Sequence, residues 1–301
     1  MQQTMQHPLR ARRDWRSALL YIGPSIFVLT VIAVVPVAYA FVTSMSDWHL
    51  HRPAMRQWVG LENYTRLLAD PRFLNSVGVT LLFTVLAVGF SMVAGFVIAL
   101  LIQKHFPGKN IVRALLTIPM IMTPVVSTLI FRVFFFEADV GLVNWVLRMF
   151  GIPGPAWVAS SPYAFVSIII VQTWFMTPFV ILVVDAALES LPKEPFDAAM
   201  IDGASYLQRV IWLVIPMLKG TLLFTLVFRV TIDYRMFETI YILTGGGPSR
   251  DTQVLSVWVY NRALRSFDVG YANAGSVIMM LIIAVTCLTL LLFAYRKADR
   301  I

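Results

Sequence analysis

The chain has 301 residues, 58% hydrophobic and 13% charged, with a net charge of +8 and a mean hydropathy of +0.76. A soluble domain of this length cannot solvate so much apolar surface, which excludes an ordinary soluble enzyme. Several apolar runs reach the roughly 20 residues a helix needs to cross a bilayer, so a membrane protein is expected. The basic surplus sits in loops and ends rather than on one face, which fits topology determination and not nucleic-acid binding.

In chain order, six helical spans are expected at about 19–45, 75–102, 114–136, 163–188, 214–243 and 274–294. The fold class is all-α, with a segment 1–18, a six-helix membrane domain 19–294 and a tail 295–301. Arg10, Arg12, Arg13 and Arg16 precede the first run, but that run is too long for a signal-peptide core and reads as a retained span. Pro24, Pro36, Pro119, Pro124 and Pro178 lie inside spans, where neighbouring helices satisfy the freed carbonyls. They predict kinks. Cys287, the single cysteine, lies in the last run and reads as a packing residue.

An even number of spans puts both ends on one side of the membrane. The basic residues on that side are the N-terminal arginines, Lys104, Lys109, Arg113, Lys193, Arg209, Lys219, Arg296, Lys297 and Arg300. They outnumber those of the opposite loops, whose arginines are nearly matched by acids such as Glu62, Asp70, Asp139 and Asp251. The excess of positive charge places both termini in the cytoplasm. The opposite loops are longer and carry Trp48, Trp58, Tyr64, Trp145, Trp157, Trp258 and Tyr260.

The loop between spans four and five, residues 191–219, reads LPKEPFDAAMIDGASYLQRVIWLVIPMLK. Pro192 and Pro195 end the preceding helix. Asp197 opens a short helix whose first turn favours acids. Gly203, next to Asp202, permits a sharp change of direction. Ser205 is an N-cap residue for a second helix that runs into span five near Pro216. The predicted object is a helix–turn–helix lying across the inner membrane surface.

Asp197-Ala198-Ala199, three residues, Gly203, nine residues and then Leu213-Val214-Ile215-Pro216 resemble a spaced loop motif. It belongs to the permease subunits of binding-protein-dependent ABC sugar importers. Asp197 stands where the family usually has Glu, which keeps the charge and shortens the reach. VGLENYTRLLADPRF (59–73), WFMTPFVILVVDAALESLP (174–192), FRVTIDYRMFETIYILTGGGP (228–248) and FDVGYANAGSV (267–277) extend the resemblance over most of the chain. It is similar to the first-position subunit of maltose, glycerol-phosphate and trehalose type systems.

The resemblance implies the type I importer permease fold and an inner-membrane location. It implies a heterodimer with a second permease, two ATP-binding subunits that hold ATP and magnesium, and a sugar-binding protein outside. Asp197, Ala198, Ala199, Asp202, Gly203 and Pro216 then form the contact that couples ATPase closure to an alternating-access movement of the spans. The bland alternative is an amphipathic interfacial helix with no partner.

Charges within spans usually face water or a partner, because each costs about 2.5–3.5 kcal/mol at a helix centre. Arg229 and Asp233 are four apart and share a face, which suits a helix-locking ion pair. Arg235 and Glu238 are three apart, also within pairing distance, and Tyr234, Glu238 and Tyr241 form a polar and aromatic stripe. Sugars are held by hydrogen-bonding groups together with aromatic rings. The candidate path residues are therefore Gln172, Trp174, Asp233, Tyr234, Arg235 and Glu238.

No GxxxxGK loop or HExxH motif occurs, so no cofactor, catalytic or metal role is assigned, and nucleotide is expected on another chain. The competing readings are an ion-gradient-driven carrier and an ABC permease for a non-sugar solute. The two halves of the chain show no convincing repeat of the kind such carriers carry.

Overall fold

The computed structural model describes residues 15–104 and 106–298; most of the expected end segments 1–18 and 295–301 lies outside the described residues. Among these, four helices are long and apolar enough to cross a membrane: Leu20–Ser44, Pro71–Ile102, Tyr163–Glu189 and Val269–Ala294. These are spans one, two, four and six. Two bent helix pairs stand where spans three and five were expected. Span three is Lys109–Ile121 followed by Pro124–Phe135, bent by 101°, and span five is Tyr206–Met217 followed by Lys219–Tyr234, bent by 71°.

The bends correct the expectation of two continuous helices at 114–136 and 214–243. Pro119 and Pro124 flank the first bend, and Thr123 recaps the outgoing helix by accepting a hydrogen bond from the Val126 amide at 3.5 Å. Proline at the start of that helix gives up no hydrogen bond, since the first amides of a helix are unpaired anyway. In span five, Pro216 has no amide proton to offer the preceding turn. There the helix widens into a π turn over Val210–Val214 and breaks at Leu218. Span five also stops at Tyr234, and a separate short helix follows at Glu238–Leu243.

Spans two and four form the central pair. Gly95 lies against Val180, where an added Cβ would come within 2.5 Å of the valine Cβ. Small residues at such crossings let helix backbones approach closely, which is the main source of association inside a bilayer. Around this pair, Phe83, Ala87, Phe131, Ile168, Ile240 and Val257 make one apolar cluster. Ala99, Val180, Val184, Val210, Val214 and Leu218 make another at the end that carries the loop 191–219. Span one packs chiefly on span six and is otherwise almost entirely exposed.

At the far end of the bundle the long loops fold into a cap. A two-stranded ribbon pairs Ser46–Asp47 with Gln57–Trp58. The buried Asn63 donates to the Ser44 and Ser46 carbonyls at 2.9 and 3.0 Å. The Trp48 carbonyl accepts from the amides of Val269 and Gly270 at 3.0 and 3.1 Å. Two segments that carried the sequence resemblance, 59–73 and 267–277, thus meet in one structure.

Candidate functional site

The loop helix spans Glu194–Ile201. It begins three residues before Asp197, which sits in its first turn beside Glu194. Pro195 therefore does not end the preceding helix as expected; it occupies the first turn of this one, where a missing amide costs nothing. Asp202 follows the helix as its C-terminal cap residue. Gly203 then takes φ +79°, a left-handed value that a side chain resists, and its amide bonds the Met200 carbonyl at 3.1 Å. The chain reverses there.

Ser205 and Gln208 close a reciprocal capping box. The Ser205 amide donates to Gln208 Oε1 at 2.7 Å, and the Gln208 amide donates to Ser205 Oγ at 3.4 Å. Phe196 anchors the helix by packing into the apolar cluster of Val210, Val214 and Leu218. No residue of the loop helix is buried. Asp197 and Ala198 are exposed, Met200 is 50% exposed and Ile201 87% exposed. Pro216 is exposed and lies directly before the bend of span five. The result is a short, firmly held knob whose apolar tip nothing among the described residues covers. Phe196 was not singled out from the sequence, although an aromatic one residue before the Asp-Ala-Ala run was the available signal.

Close by, Arg113 of span three joins span four through Asp185 at 2.7 Å and Glu189 at 2.5 Å. Gln103 at the end of span two donates to the same Asp185 at 2.8 Å. Asp185 is a charge within span four, and its partners come from two other elements. This cluster ties three spans together at the base of the loop.

Deep in the bundle, Arg229 and Asp233 form a two-pronged ion pair. Nη1 donates to Oδ1 at 3.0 Å and Nη2 to Oδ2 at 2.7 Å. Both side chains are fully enclosed. Gln172 of span four donates to Asp233 Oδ1 at 2.6 Å, and Ser91 of span two lies 3.3 Å from Arg229 Nε and Nη2. The pair therefore locks spans two, four and five, as the helix-locking reading expects.

The candidate path residues divide into two groups. Gln172, Asp233 and Tyr234 are buried, with the Tyr234 hydroxyl 3.2 Å from Thr286 Oγ1 of span six. They are enclosed among the spans of this chain, where they link one span to another. Trp174, Arg235 and Glu238 are open. Trp174 packs edge-on against Phe131 at 5.1 Å. It lines a cleft of about 440 Å³ at the bend of span three, together with Met122, Ser127, Ile130 and Phe135.

Arg235 and Glu238 do not pair as expected, because the helix breaks between them; Arg235 Nε instead donates to the Thr231 carbonyl at 3.2 Å. The same break splits the expected stripe. Tyr241 leaves it to pack with Phe237 and Tyr260, each ring centroid 4.9 Å away, and its hydroxyl accepts from Arg265 at 2.9 Å. Among the described residues no group of three or more His, Cys, Asp and Glu side chains is arranged to hold a metal ion.

Four long apolar helices, two bent helix pairs, a protruding loop knob and a far-end cap are parts that suit a membrane transport subunit. Residues 91–300 match the family described as "Binding-protein-dependent transport system inner membrane component", and the chain belongs to that family. It is 33% identical over 294 residues to a probable ABC transporter permease, y4oQ, of Sinorhizobium fredii, covering 97% of this chain and 94% of that one. It is 31% identical over 284 residues to the trehalose/maltose transport system permease MalF of Thermococcus litoralis, covering 92% and 93%.

The fold matches a chain of a bacterial alginate ABC transporter crystallised with a periplasmic protein carrying an alginate pentasaccharide. The TM-score is 0.77 with 21% identity, over 96% of both chains. The type I ABC importer permease fold expected from the sequence is the fold observed. Family membership sets aside the gradient-driven carrier.

Proposed function

We propose that this chain is one of two permease subunits of an ATP-driven saccharide importer, and that the helix Glu194–Ile201 transmits the movement of an ATP-binding partner to the spans. The observation that carries the proposal is the uncovered tip of a helix held at three points: Phe196, the Gly203 turn and the Ser205–Gln208 box. A helix that merely rested on lipid would need neither the left-handed turn nor the double cap. Ala198 and Ala199 keep the knob narrow enough for a groove, and Asp197 offers a carboxylate to a basic partner. ATP and magnesium belong to the partner, since this chain has no phosphate-cradling loop.

Both termini and the loop helix face the cytoplasm, and the cap faces outward toward a sugar-binding protein. Solute passes between this chain and a second permease. On this side it meets the Trp174 cleft, Arg235 and Glu238, which combine an aromatic wall with hydrogen-bonding groups of both signs. The enclosed ion pair Arg229–Asp233 holds spans two, four and five to one another as they move. The permeases named for trehalose/maltose are the relatives that favour a saccharide over another solute.

Purification of the tagged chain from native membranes tests the proposal. Recovery of a P-loop ATPase and a second six-span chain, with the ATPase lost from a Gly203→Pro variant, is the expected result. Recovery of the chain alone, or of the same partners in the variant, contradicts it.

A further inference from the structure

Away from the Trp174 cleft, the cap holds a second, polar cavity of about 140 Å³, lined by Arg72, Arg250, Gln253, Trp258, Asn261 and Arg262. That is the room of about five waters, too little for a saccharide chain and enough for the tip of an acidic side chain. Three separate segments bring the arginines together. Arg72 stands at the start of span two, where its amide donates to Asp70 Oδ1 at 2.9 Å. Arg262 lies over the rings of Trp258 and Tyr271, at 5.8 and 5.0 Å, and Asp70 steadies it at 3.7 Å. Arg250 is presented by a turn in which Ser249 and Arg250 both hold left-handed φ, 46° and 74°. Two consecutive non-glycine residues adopt that backbone only where the surroundings impose it. Here Asn75 Nδ2 reaches the Arg250 carbonyl at 3.4 Å.

The charge is unbalanced. Among the described residues Arg72 and Arg250 form no ion pair, and Asp70, itself shared with the Arg72 amide and the Tyr271 hydroxyl, is the carboxylate that pairs with Arg262. Asp251 follows Arg250 in the chain but does not line the cavity. A pocket lined by three arginines, two of them without an ion pair among the described residues, matches a carboxylate, the group arginine recognises through paired hydrogen bonds.

We infer that this cavity is a socket for an aspartate or glutamate side chain on the solute-binding protein, docked on the outer face. The inference rests on the importer reading and on the outward orientation of the cap. The socket fixes the register of docking, because a carboxylate displaced by a few ångströms loses the fork geometry. It also places the docked partner directly over the start of span two and the segment that leads into span six.

The test uses the complete transporter in nanodiscs, with its own solute-binding protein as the probe. Arg72→Gln and Arg250→Gln are each expected to weaken docking about tenfold, as loss of a hydrogen bond to a charged group does, with the double variant weaker still. The wild-type affinity should fall steeply with salt. Arg148→Gln, an exposed arginine bonded elsewhere, serves as the control for diffuse charge and should change docking less than twofold. Retained ATPase co-purification shows that the variants are folded and assembled.

If the double variant docks like wild type, or if Arg148→Gln weakens docking equally, the socket is refuted while the importer reading stands. If inorganic phosphate binds at the arginines and docking is untouched, the pocket is a free-anion site and the inference falls. If the wild-type complex contains no ATPase and docks no binding protein, the importer reading itself falls.

Discussion

Replacing Asp233 with alanine removes one partner of a fully enclosed ion pair and leaves the Arg229 guanidinium with Ser91 Oγ at 3.3 Å as its remaining side-chain contact. Breaking a buried pair on one side costs about 3–5 kcal/mol, because the stranded charge keeps its desolvation penalty. A charge at a membrane helix centre costs about 2.5–3.5 kcal/mol on the insertion scale. The two figures overlap near 3 kcal/mol, which is more than a hundredfold in the folding equilibrium. Equilibrium unfolding of the solubilised protein in mixed micelles reads that loss directly. The double variant Arg229→Met, Asp233→Leu removes both charges and should recover most of it, since apolar residues of similar volume replace such pairs with little or no loss. A double variant as unstable as Asp233→Ala, or an Asp233→Ala protein as stable as wild type, refutes the assignment of this pair as a lock between spans.

Gly95→Val should destabilise the protein by about 1–3 kcal/mol, because the new Cβ falls 2.5 Å from that of Val180. Val180→Gly in the same chain removes the opposing Cβ and should restore part of the loss, as a thermal-stability series would read. Trp174→Ala should leave stability within about 1 kcal/mol of wild type, since the ring is 37% exposed, yet raise the KM for saccharide uptake about fivefold by removing a stacking surface. An unchanged KM for every sugar transported would remove Trp174 from the path.

The loop was the most legible part of the chain. Its signals are local: an acid in a first turn, a glycine that must turn, and a serine with glutamine three residues on. Asp197, Gly203 and Ser205 therefore announced a helix, a reversal and a second helix before any tertiary contact was considered. The Arg229–Asp233 pair was also readable, because a spacing of four residues defines a shared helix face. Its third and fourth members, Gln172 and Ser91, come from other spans, and no periodicity in span five points to them.

The bends were legible in kind but not in size. Pro119 and Pro124 signal a kink, whereas the 101° angle depends on how Thr123 recaps the chain and on what the outgoing helix meets. The break after Tyr234 had no sequence signal, since neither proline nor glycine lies there. It is held by tertiary contacts, with Met236 buried and its carbonyl accepting from Ser256 Oγ at 2.5 Å. That is why a polar stripe extrapolated along one helix joined Tyr234 to Glu238 and Tyr241, which the folded chain separates.

Cross-linking from the tip of the loop helix tests the central claim most directly. In a Cys287→Ser background, cysteine at Ile201 would be the single thiol of the chain, placed where the side chain is 87% exposed. In native membranes, a short bismaleimide should join it to a P-loop ATPase, and Gly203→Pro should abolish that adduct while leaving the protein in the membrane. Labelling of Ile201→Cys by a soluble maleimide with no ATPase adduct, or an adduct unaffected by Gly203→Pro, would contradict the assignment of Glu194–Ile201 as the coupling element.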